Sequence, residues 1–199
     1  MSLPSTLDQI HAELWDTLIA VPSDLGHGWR LPVLATVDGA QPRARTIVLR
    51  AADVTRRSLT IHTDARSPKV AQLAGNTAVS LAFYDEQSMR QLVVSGTATV
   101  HIDDDVANTN WKNATASSRR GYLAPFPPGT VTPTVESNLP DAVSDRLPSD
   151  KELADARANF AVIVIAVTAI DWLRLDRHGN NRATFRYVGD KVESNWIAP

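Results

Sequence analysis

Helical and strand-like patterns of apolar residues follow one another along this chain. Four apolar residues near its start recur at helical spacing: Leu7, Ile10, Leu14 and Leu18. Thr6 and Gln9 fit a capping box and Pro22 ends the segment, so residues 1–22 are predicted to form an N-terminal helix. His11 lies beside the apolar stripe, where we expect a structural or solvent-facing side chain and not a metal ligand.

Five segments after this helix have the pattern of β-strands. They are Trp29–Val37, Arg43–Arg50, Ser58–Thr63, Thr77–Tyr84 and Arg90–Ile102. Asp38-Gly39 is a hairpin signal between the first two, and Gly96 in the fifth marks a bulge or a close approach of another segment. Because short turns join these strands, they indicate an antiparallel barrel or meander and not βαβ units.

The second half of the chain is predicted to contain two helices, a long loop and a closing meander. The acids Asp103–Asp105 suit a helix start better than a cation site, because nothing around them completes a calcium loop. Residues 119–150 are irregular and proline-rich, which is typical of a lid, a dimer arm or disorder. Ser149 and Glu152 cap a short helix. The last strands are predicted at Phe160–Thr168, Ile170–Asp176, Arg182–Val188 and Lys191–Ile197.

Composition restricts the class of protein. A chain of 199 residues with 43% apolar and 21% charged residues and no internal repeat is typical of one globular domain, here residues 1–199. The net charge of -2 and the pI near 6.2 argue against a nucleic-acid binder, and the absence of cysteine excludes disulfides and thiolate chemistry. The longest apolar run is too short to span a membrane and no signal peptide is evident, so we expect a cytoplasmic protein.

The stretch 43–73 carries the candidate chemistry. Ser67 suits an N-cap and Pro68 the first helical position, so a helix is predicted to start there and to stop near Gly75. A helix start favours an anion, phosphate above all. Three cationic residues add positive charge nearby: Arg45, Arg66 and Lys69. The pattern indicates a phosphate site, and an equally acceptable interpretation is a group of solvated charges at the rim of the sheet.

Generic catalytic motifs are absent from the sequence. There is no P-loop, no GxGxxG, no GxSxG and no HExxH, and no two of the five histidines stand at metal-ligand spacing. Since the side chains offer little reactive machinery, a bound cofactor is the natural route to chemistry, and no metal site is predicted.

Short motifs along the chain stand in the order and spacing of a known family. They are RTIVLR at 45–50, HTD at 62–64, SPK at 67–69, RQLVVSG at 90–96, Trp172 with Arg182, and WIAP at 196–199. Over residues 29–199 the chain therefore resembles the pyridoxamine 5'-phosphate oxidase-like FMN-binding split barrels. The resemblance implies a mainly β fold with flanking helices, an antiparallel split β-barrel.

The resemblance also implies FMN as the cofactor. In the family, the residues matching Arg45, Ser67 and Lys69 hold the FMN phosphate, at the site that capping and charge also indicate. Gln91 would hydrogen-bond the isoalloxazine edge, and Thr63 would lie near the ribityl chain. The other matched positions expected at the cofactor are Thr46, Ile47, Val48, Arg50 and His62.

Three of the expected cofactor residues require a particular geometry. Arg50 stands five residues after Arg45, so on a regular strand it faces the opposite side, and both contribute only through a bulge or a site reached from both faces. Trp172 and Arg182 approach the flavin of the other subunit in the family, which implies a homodimer with FMN at the interface. Taken alone, Trp172 is better explained as a core aromatic, and its register with Arg182 favours the flavin contact.

The substrate half of the family pattern is changed. Pro68 replaces an arginine, with Arg66 as its candidate substitute, and the oxidase's substrate-binding Arg and His are His178 and Asn180 here. Arg119 or Arg120 could supply the missing charge. We therefore expect a divergent relative, not the vitamin B6 oxidase itself, that uses FMN or a deazaflavin to oxidise or reduce another small organic substrate. The alternative is a non-catalytic module that holds FMN or haem for storage or sensing.

Overall fold

The computed structural model describes residues 6–135 and 137–199. Residues 1–5 of the predicted N-terminal segment and residue 136 of the proline-rich segment lie outside this part of the chain. Within it there are five α-helices and nine strands. The helices are α1 (Leu7–Ala20), α2 (Pro68–Gly75), α3 (Asp105–Asn113), α4 (Ala116–Arg120) and α5 (Asp150–Ala156). The strands are β1 (Val33–Asp38), β2 (Gln41–Thr46), β3 (Leu49–Asp53), β4 (Ser58–Asp64), β5 (Ala78–Asp85), β6 (Arg90–His101), β7 (Phe160–Arg174), β8 (Asn181–Val188) and β9 (Lys191–Ile197).

The strands form one antiparallel sheet in the order β2-β1-β5-β6-β7-β4-β3, with β8 paired to β7 and β9 to β8. The 15-residue strand β7 divides the sheet, because its first half pairs with β4 and its second half with β8 along the same edge. Strands β2 and β3 stand at opposite ends of the order, yet only Ile47 and Val48 separate them in the chain. The sheet therefore curls until its ends meet without pairing. This confirms the predicted mainly β fold with flanking helices and its split-barrel form.

Two apolar clusters fill the fold. The larger one lies within the curled sheet and takes in the buried face of α1, formed by Ile10, Leu14, Trp15 and Leu18. The smaller one packs α3 and α5 against β7, and its members are Ala107, Trp111, Leu153, Ala156, Phe160 and Val162. Successive side chains of a strand point to opposite faces, so Ile163 and Ile165 of β7 enter the larger cluster and Val162 the smaller. The first half of β7 is therefore buried on both faces.

The first predicted strand begins later than expected. Gly28–Arg30 forms a turn of 3-10 helix, and the buried Trp29 indole N–H donates to the Arg90 carbonyl at 3.3 Å. Pro32 follows, which lacks a backbone N–H, and β1 starts only at Val33. The prediction of a strand from Trp29 is therefore wrong, because its side chain is used to cover the core.

Two other strand predictions are wrong in their limits because the sheet bends the chain. The predicted strand Arg43–Arg50 is interrupted at Ile47 and Val48, where the chain passes from one end of the sheet to the other. The predicted strands Phe160–Thr168 and Ile170–Asp176 are one continuous strand, β7. Long-range pairing with β4, β6 and β8 keeps β7 extended through the point where the sequence indicates a break.

Gly96 is confirmed as a point of close approach. The register between β6 and β7 shifts between Ser95 and Gly96. A Cβ atom on Gly96 would lie 2.5 Å from the carbonyl oxygen of Ala166, so any other residue would force the two strands apart.

The helix starts agree with the capping signals in the sequence. Thr6 with Gln9 and Ser149 with Glu152 both form complete capping boxes. Asp104 caps α3, since its carboxylate accepts from a backbone N–H in the first turn at 2.9 Å, which confirms the capping interpretation of the three aspartates. None of the helices within the described residues is long and apolar enough to cross a membrane.

Polar contacts join α1 to β8. His11 Nε2 lies 2.8 Å from the Tyr187 hydroxyl, and the Trp15 indole N–H donates to the same hydroxyl at 2.7 Å. The guanidinium of Arg57 lies 4.8 Å from the centre of the Tyr187 ring. Burial, followed by the charge of Arg57, lowers the pKa of His11. The structural role expected for His11 is confirmed.

Candidate functional site

Helix α2 starts beside the end of β4, with Lys69 in its first turn. Lys69 Nζ donates to the Thr63 hydroxyl at 2.9 Å and to the Ser67 hydroxyl at 3.2 Å, and these two hydroxyls are 3.2 Å apart. Ser67 occupies the predicted N-cap position, but its hydroxyl makes no capping hydrogen bond because it points to Thr63 and Lys69. Both hydroxyl residues are buried, so they hold the ammonium group in one place.

Arg45 on β2 is held by two uncharged acceptors. Its Nη1 donates to the Thr36 hydroxyl at 2.6 Å and its Nη2 to the Gln72 side-chain oxygen at 3.0 Å. The Thr36 hydroxyl donates to that same Gln72 oxygen at 2.7 Å, which closes a ring of three hydrogen bonds. Sequence reasoning missed both acceptors, although signals for them exist. The hairpin register places Thr36 diagonal to Arg45, and Gln72 follows Lys69 by three positions on one helix face.

Arg45, Lys69, Thr63 and Ser67 form what we call the cationic cluster. Within residues 6–135 and 137–199, no carboxylate is ion-paired with either cation. Burial and then the charge of Arg45 lower the pKa of Lys69, and burial lowers the pKa of Arg45. Two neighbouring cations without a partner charge favour the binding of an anion, because an anion relieves their mutual repulsion.

Arg66 does not belong to this cluster. Its Nε and Nη2 donate to the Asp64 carboxylate at 3.0 and 2.7 Å, and Nη2 also donates to the Ala124 carbonyl at 2.9 Å. The charge of Arg66 is therefore compensated, and the prediction that it adds positive charge to the phosphate site is wrong. Arg66 instead attaches the proline-rich segment to the end of β4.

A small pocket lies around Arg50. It has a volume of about 230 Å³, and its lining residues are Arg50, His62, Asn110, Asn113, Ala114, Thr115 and Ser118. His62 Nε2 lies 3.1 Å from the Asn110 side-chain oxygen. Burial lowers the pKa of His62, with a smaller opposing effect of that hydrogen bond, so the ring is uncharged at neutral pH. Arg50 Nε is buried and has no acceptor among the described residues. We call this the Arg50 pocket.

Arg50 reaches its pocket because the strand is irregular. Strand β2 ends at Thr46, Ile47 and Val48 belong to no strand, and the register of β3 against β4 shifts at Arg50. The irregularity does not bring the two arginines to common contacts. Arg45 contacts Gln72 of α2 and Arg50 lines the Arg50 pocket, so these residues of β2 and β3, the strands at opposite ends of the sheet order, have different neighbours.

Three predicted cofactor residues lie near the C-terminal end of β7. They are Gln91 on the paired strand β6, Trp172 on β7 itself and Arg182 on the paired strand β8. Thr63 pairs with Ala161 near the start of β7, whereas Leu173, 12 positions later, pairs with both Gln91 and Arg182. At roughly 3.3 Å per residue, the path along the strand is about 40 Å. These three residues therefore lie at the opposite end of β7 from Thr63, and within the described part of the chain none of them forms a hydrogen bond or ion pair with the cationic cluster.

The environments of Trp172 and Arg182 differ from one another. Trp172 is 1% exposed and belongs to the larger apolar cluster, which supports its interpretation as a core aromatic of its own chain. Arg182 donates from Nε and Nη2 to the Asp171 carboxylate at 3.0 and 2.7 Å, and this contact raises the pKa of Arg182.

A comparison with protein families gives the cationic cluster its context. Residues 15–102 match the family model described as "Pyridoxamine 5'-phosphate oxidase, FMN-binding domain". The match covers less than half of the chain, and over this segment the chain resembles that family as a divergent relative. The matched residues contain the cationic cluster, Arg50, His62 and Gln91, whereas Trp172 and Arg182 lie beyond them.

Solved structures share the fold at low identity. A pyridoxamine 5'-phosphate oxidase-related, FMN binding protein from Nostoc punctiforme PCC 73102 is 21% identical with a TM-score of 0.69, and 100% of each chain is covered. PhzG from Burkholderia lata 383, in complex with tetrahydrophenazine-1-carboxylic acid, is 15% identical with a TM-score of 0.68, covering 98% of this chain and 94% of that one. A protein from Clostridium acetobutylicum related to general stress protein 26 is 12% identical with a TM-score of 0.53, covering 96% of each. No curated protein matches the chain.

The residues of the cationic cluster fit the phosphate of FMN. A guanidinium, an ammonium group and two hydroxyls are the donors that phosphate oxygens accept from best. The start of the eight-residue helix α2 adds its partial positive charge, although Pro68 has no N–H and the Val70 N–H donates to the Ser67 carbonyl at 3.0 Å. The residues present therefore match the cofactor named in the family description.

Proposed function

We propose that this protein is an FMN-dependent oxidoreductase that acts on a small organic substrate. The observation that carries the proposal is the cationic cluster, in which Arg45 and Lys69 are held by uncharged groups and keep their charge. The FMN-binding description of the matched family supports the choice of cofactor. When bound, the flavin supplies electron acceptance and donation, for which this chain has no side-chain machinery of its own.

The chain's own residues bind and orient the cofactor in this proposal. Arg45 and Lys69 bind the phosphate, and Ser67 and Thr63 fix the Lys69 ammonium group. By the family resemblance, Thr63 also lies near the ribityl chain. The segment from Thr46 to Val48, where strand pairing stops, remains expected beside the cofactor.

We propose that the Arg50 pocket receives the substrate next to the cofactor. Its volume of about 230 Å³ admits a small organic molecule or one end of a larger one. The buried Arg50 Nε–H has no acceptor among the described residues and can donate to a substrate oxygen. Because Arg50 is the only cation among the lining residues and His62 is uncharged at neutral pH, a single carboxylate or carbonyl oxygen suits the pocket better than a phosphate dianion.

The surroundings of the candidate substrate residues do not favour pyridoxamine 5'-phosphate, because its phosphate needs fixed positive charges. His178 and Asn180 lie in the exposed turn between β7 and β8 and supply no fixed positive charge. Arg119 is ion-paired with Asp150, and Arg120 donates to backbone carbonyls of the proline-rich segment. The charge of Arg119 is therefore matched by Asp150, and Arg120 keeps its charge but is held by the proline-rich segment.

We further propose a homodimer with two equivalent flavin sites. Arg182 lies at the opposite end of β7 from Thr63, and the matching residue of the family approaches the flavin of the other subunit, which supports a site shared between two copies. Light scattering is expected to show a dimer. A monomer that carries tightly bound FMN would contradict the shared site.

Two measurements test the proposed function. FMN titrated into the purified protein is expected to bind with flavin absorbance and more tightly than riboflavin, which lacks the phosphate. The FMN-loaded protein is then expected to consume NAD(P)H or oxygen with candidate substrates. Failure to take up FMN contradicts the cofactor, and uptake of a deazaflavin or haem instead identifies the replacement. FMN binding without any turnover would leave a storage or sensor module.

A further inference from the structure

We propose that Thr36 and Gln72 are positioning residues that hold the Arg45 guanidinium for a phosphate group without neutralising it. This inference rests on the proposed function, since FMN is the phosphate compound concerned. Three hydrogen bonds of 2.6, 3.0 and 2.7 Å join the three side chains in a closed ring. The ring connects β1, β2 and α2, so it fixes Arg45 relative to the helix that carries Lys69.

Chemistry determines the direction of each hydrogen bond in this ring. A guanidinium only donates, so Thr36 and Gln72 must both present oxygen atoms to Arg45. The Thr36 hydroxyl then has one hydrogen to donate, and Gln72 Oε1 accepts it. Thr36 is 2% exposed, so water does not readily replace Gln72 as its partner. The Gln72 amide therefore has one preferred orientation, with its oxygen toward Arg45.

These contacts leave one edge of the Arg45 guanidinium available. Arg45 has five N–H donors; Nη1 approaches Thr36 and, at 3.4 Å, the Leu34 carbonyl, and Nη2 uses one hydrogen for Gln72. The Nε–H and the second Nη2–H lie on one edge of the planar group and have no acceptor in the described part of the chain. An edge of this kind binds two phosphate oxygens at once.

Uncharged acceptors, together with a second unpaired cation beside it in Lys69, set Arg45 apart from Arg66 and Arg182. Arg66 and Arg182 make comparable two-point contacts, but with the carboxylates of Asp64 and Asp171. A glutamate at position 72 would have the same length as Gln72 and could accept the same two hydrogen bonds. It would also form an ion pair with Arg45 and cancel the charge that a phosphate needs.

The substitution Gln72→Glu tests the proposal because it keeps the shape and changes the charge. Dissociation constants of FMN and riboflavin are measured by quenching of flavin fluorescence at constant ionic strength, and the preference for FMN over riboflavin isolates the phosphate contribution. We expect this preference to fall by about tenfold or more, with riboflavin affinity and unfolding temperature near those of the wild type. Gln87→Glu in the exposed β5–β6 turn controls for net charge and is expected to change the preference by less than about twofold.

A second pair of variants separates positioning from structural support. Thr36→Val removes the hydroxyl and is expected to lower the preference for FMN by about two- to tenfold, and Thr36→Ser is expected to restore it. Equal weakening of FMN and riboflavin in Gln72→Glu and Thr36→Val would show a structural role only. An unchanged preference in both variants would overturn the proposal.

Inorganic phosphate distinguishes this inference from the proposed function. At constant ionic strength, phosphate is expected to raise the unfolding temperature of the wild type and to have little effect on Gln72→Glu. If the wild type takes up no FMN but shows this Gln72-dependent response, the proposed function fails and the positioning role stands. A different outcome is that FMN binds while the preference for FMN and the response to phosphate are the same in the wild type and Gln72→Glu. In that case the positioning role fails and the proposed function stands.

Discussion

Arg45 and Arg182 are held in similar ways and have opposite electrostatic surroundings. Each lies on an antiparallel strand, and each donates to two oxygen atoms within 3.0 Å. The acceptors of Arg45 are a hydroxyl and an amide, whereas both acceptors of Arg182 belong to the Asp171 carboxylate. Burial accordingly lowers the pKa of Arg45, and the contact with Asp171 raises the pKa of Arg182.

The difference teaches that hydrogen-bond geometry and available charge are separate properties of an arginine. Two well-placed acceptors of either kind fix the direction of the guanidinium. Only uncharged acceptors leave its charge free for a ligand, as they do for Arg45 beside Lys69. The charge of Arg182 is already matched within its own chain, so any contact with a flavin of a second copy would use its remaining N–H groups and not its net charge.

The largest effect is expected from removing the unmatched cations. Arg45→Ala and Lys69→Ala are each expected to weaken FMN binding by roughly 1.5–3 kcal/mol, about 10- to 150-fold, because hydrogen bonds to charged groups have this strength. Riboflavin affinity is expected to change little, and fluorescence titration with both flavins measures the difference. Arg43→Ala is the matched control, since Arg43 lies on the same strand and is exposed and paired with Asp38. An FMN affinity that is unchanged in both variants would show that the cationic cluster does not bind the FMN phosphate.

A smaller effect is expected from unpairing the matched arginine. Asp171→Asn keeps the shape of the side chain and removes the negative charge opposite Arg182. Since the pair is partly exposed, with side chains 28% and 37% accessible, we expect a loss of roughly 0.2–1 kcal/mol in the free energy of unfolding. Urea denaturation measures this loss. The preference for FMN over riboflavin is expected to stay the same, and a tenfold change in it would place Arg182 at the phosphate.

Local patterns in the sequence are sufficient for the parts of the fold and site that depend on neighbouring residues. The capping box at Ser149, the N-cap position of Ser67 and the Asp38-Gly39 hairpin each follow from a few consecutive residues, and the structure has all three. The hairpin also fixes which residues of β1 lie near Arg45. The ion pair between Arg66 and Asp64 could also have been predicted locally, because the two residues are only two positions apart in the sequence.

The remaining features depend on contacts between distant segments. The interruption at Ile47 and Val48 results from closure of the sheet, which no local pattern indicates. The capping preference of Ser67 is overridden because Thr63 and Lys69 compete for its hydroxyl. The burial of Trp172 follows from the packing of β7 and β8, and an aromatic residue reads the same in sequence whether it packs in a core or against a ligand.

The contact between His11 of α1 and Tyr187 of β8 lies in surroundings that favour the uncharged form of His11. The Tyr187 hydroxyl accepts from the Trp15 indole N–H, and it can donate to His11 Nε2 when that nitrogen is unprotonated. Burial and the charge of Arg57 lower the pKa of His11, and Asp8 on the same helix acts weakly in the opposite direction. Protonation of His11 would place a second positive charge near Arg57.

The smallest effect is therefore a pH dependence of stability from His11. Its pKa in the folded protein lies below the ordinary value of 6.5, so the unfolded chain binds more protons as the pH falls below that value, and stability decreases. We expect the unfolding temperature to fall between pH 7.5 and pH 5.5, and to fall less in His11→Gln, which does not titrate. The pKa of His62 is lowered as well. The variant His62→Gln therefore measures how much of the remaining pH dependence of the unfolding temperature comes from His62. Equal losses in the wild type and His11→Gln would show that the contact between α1 and β8 does not respond to protonation.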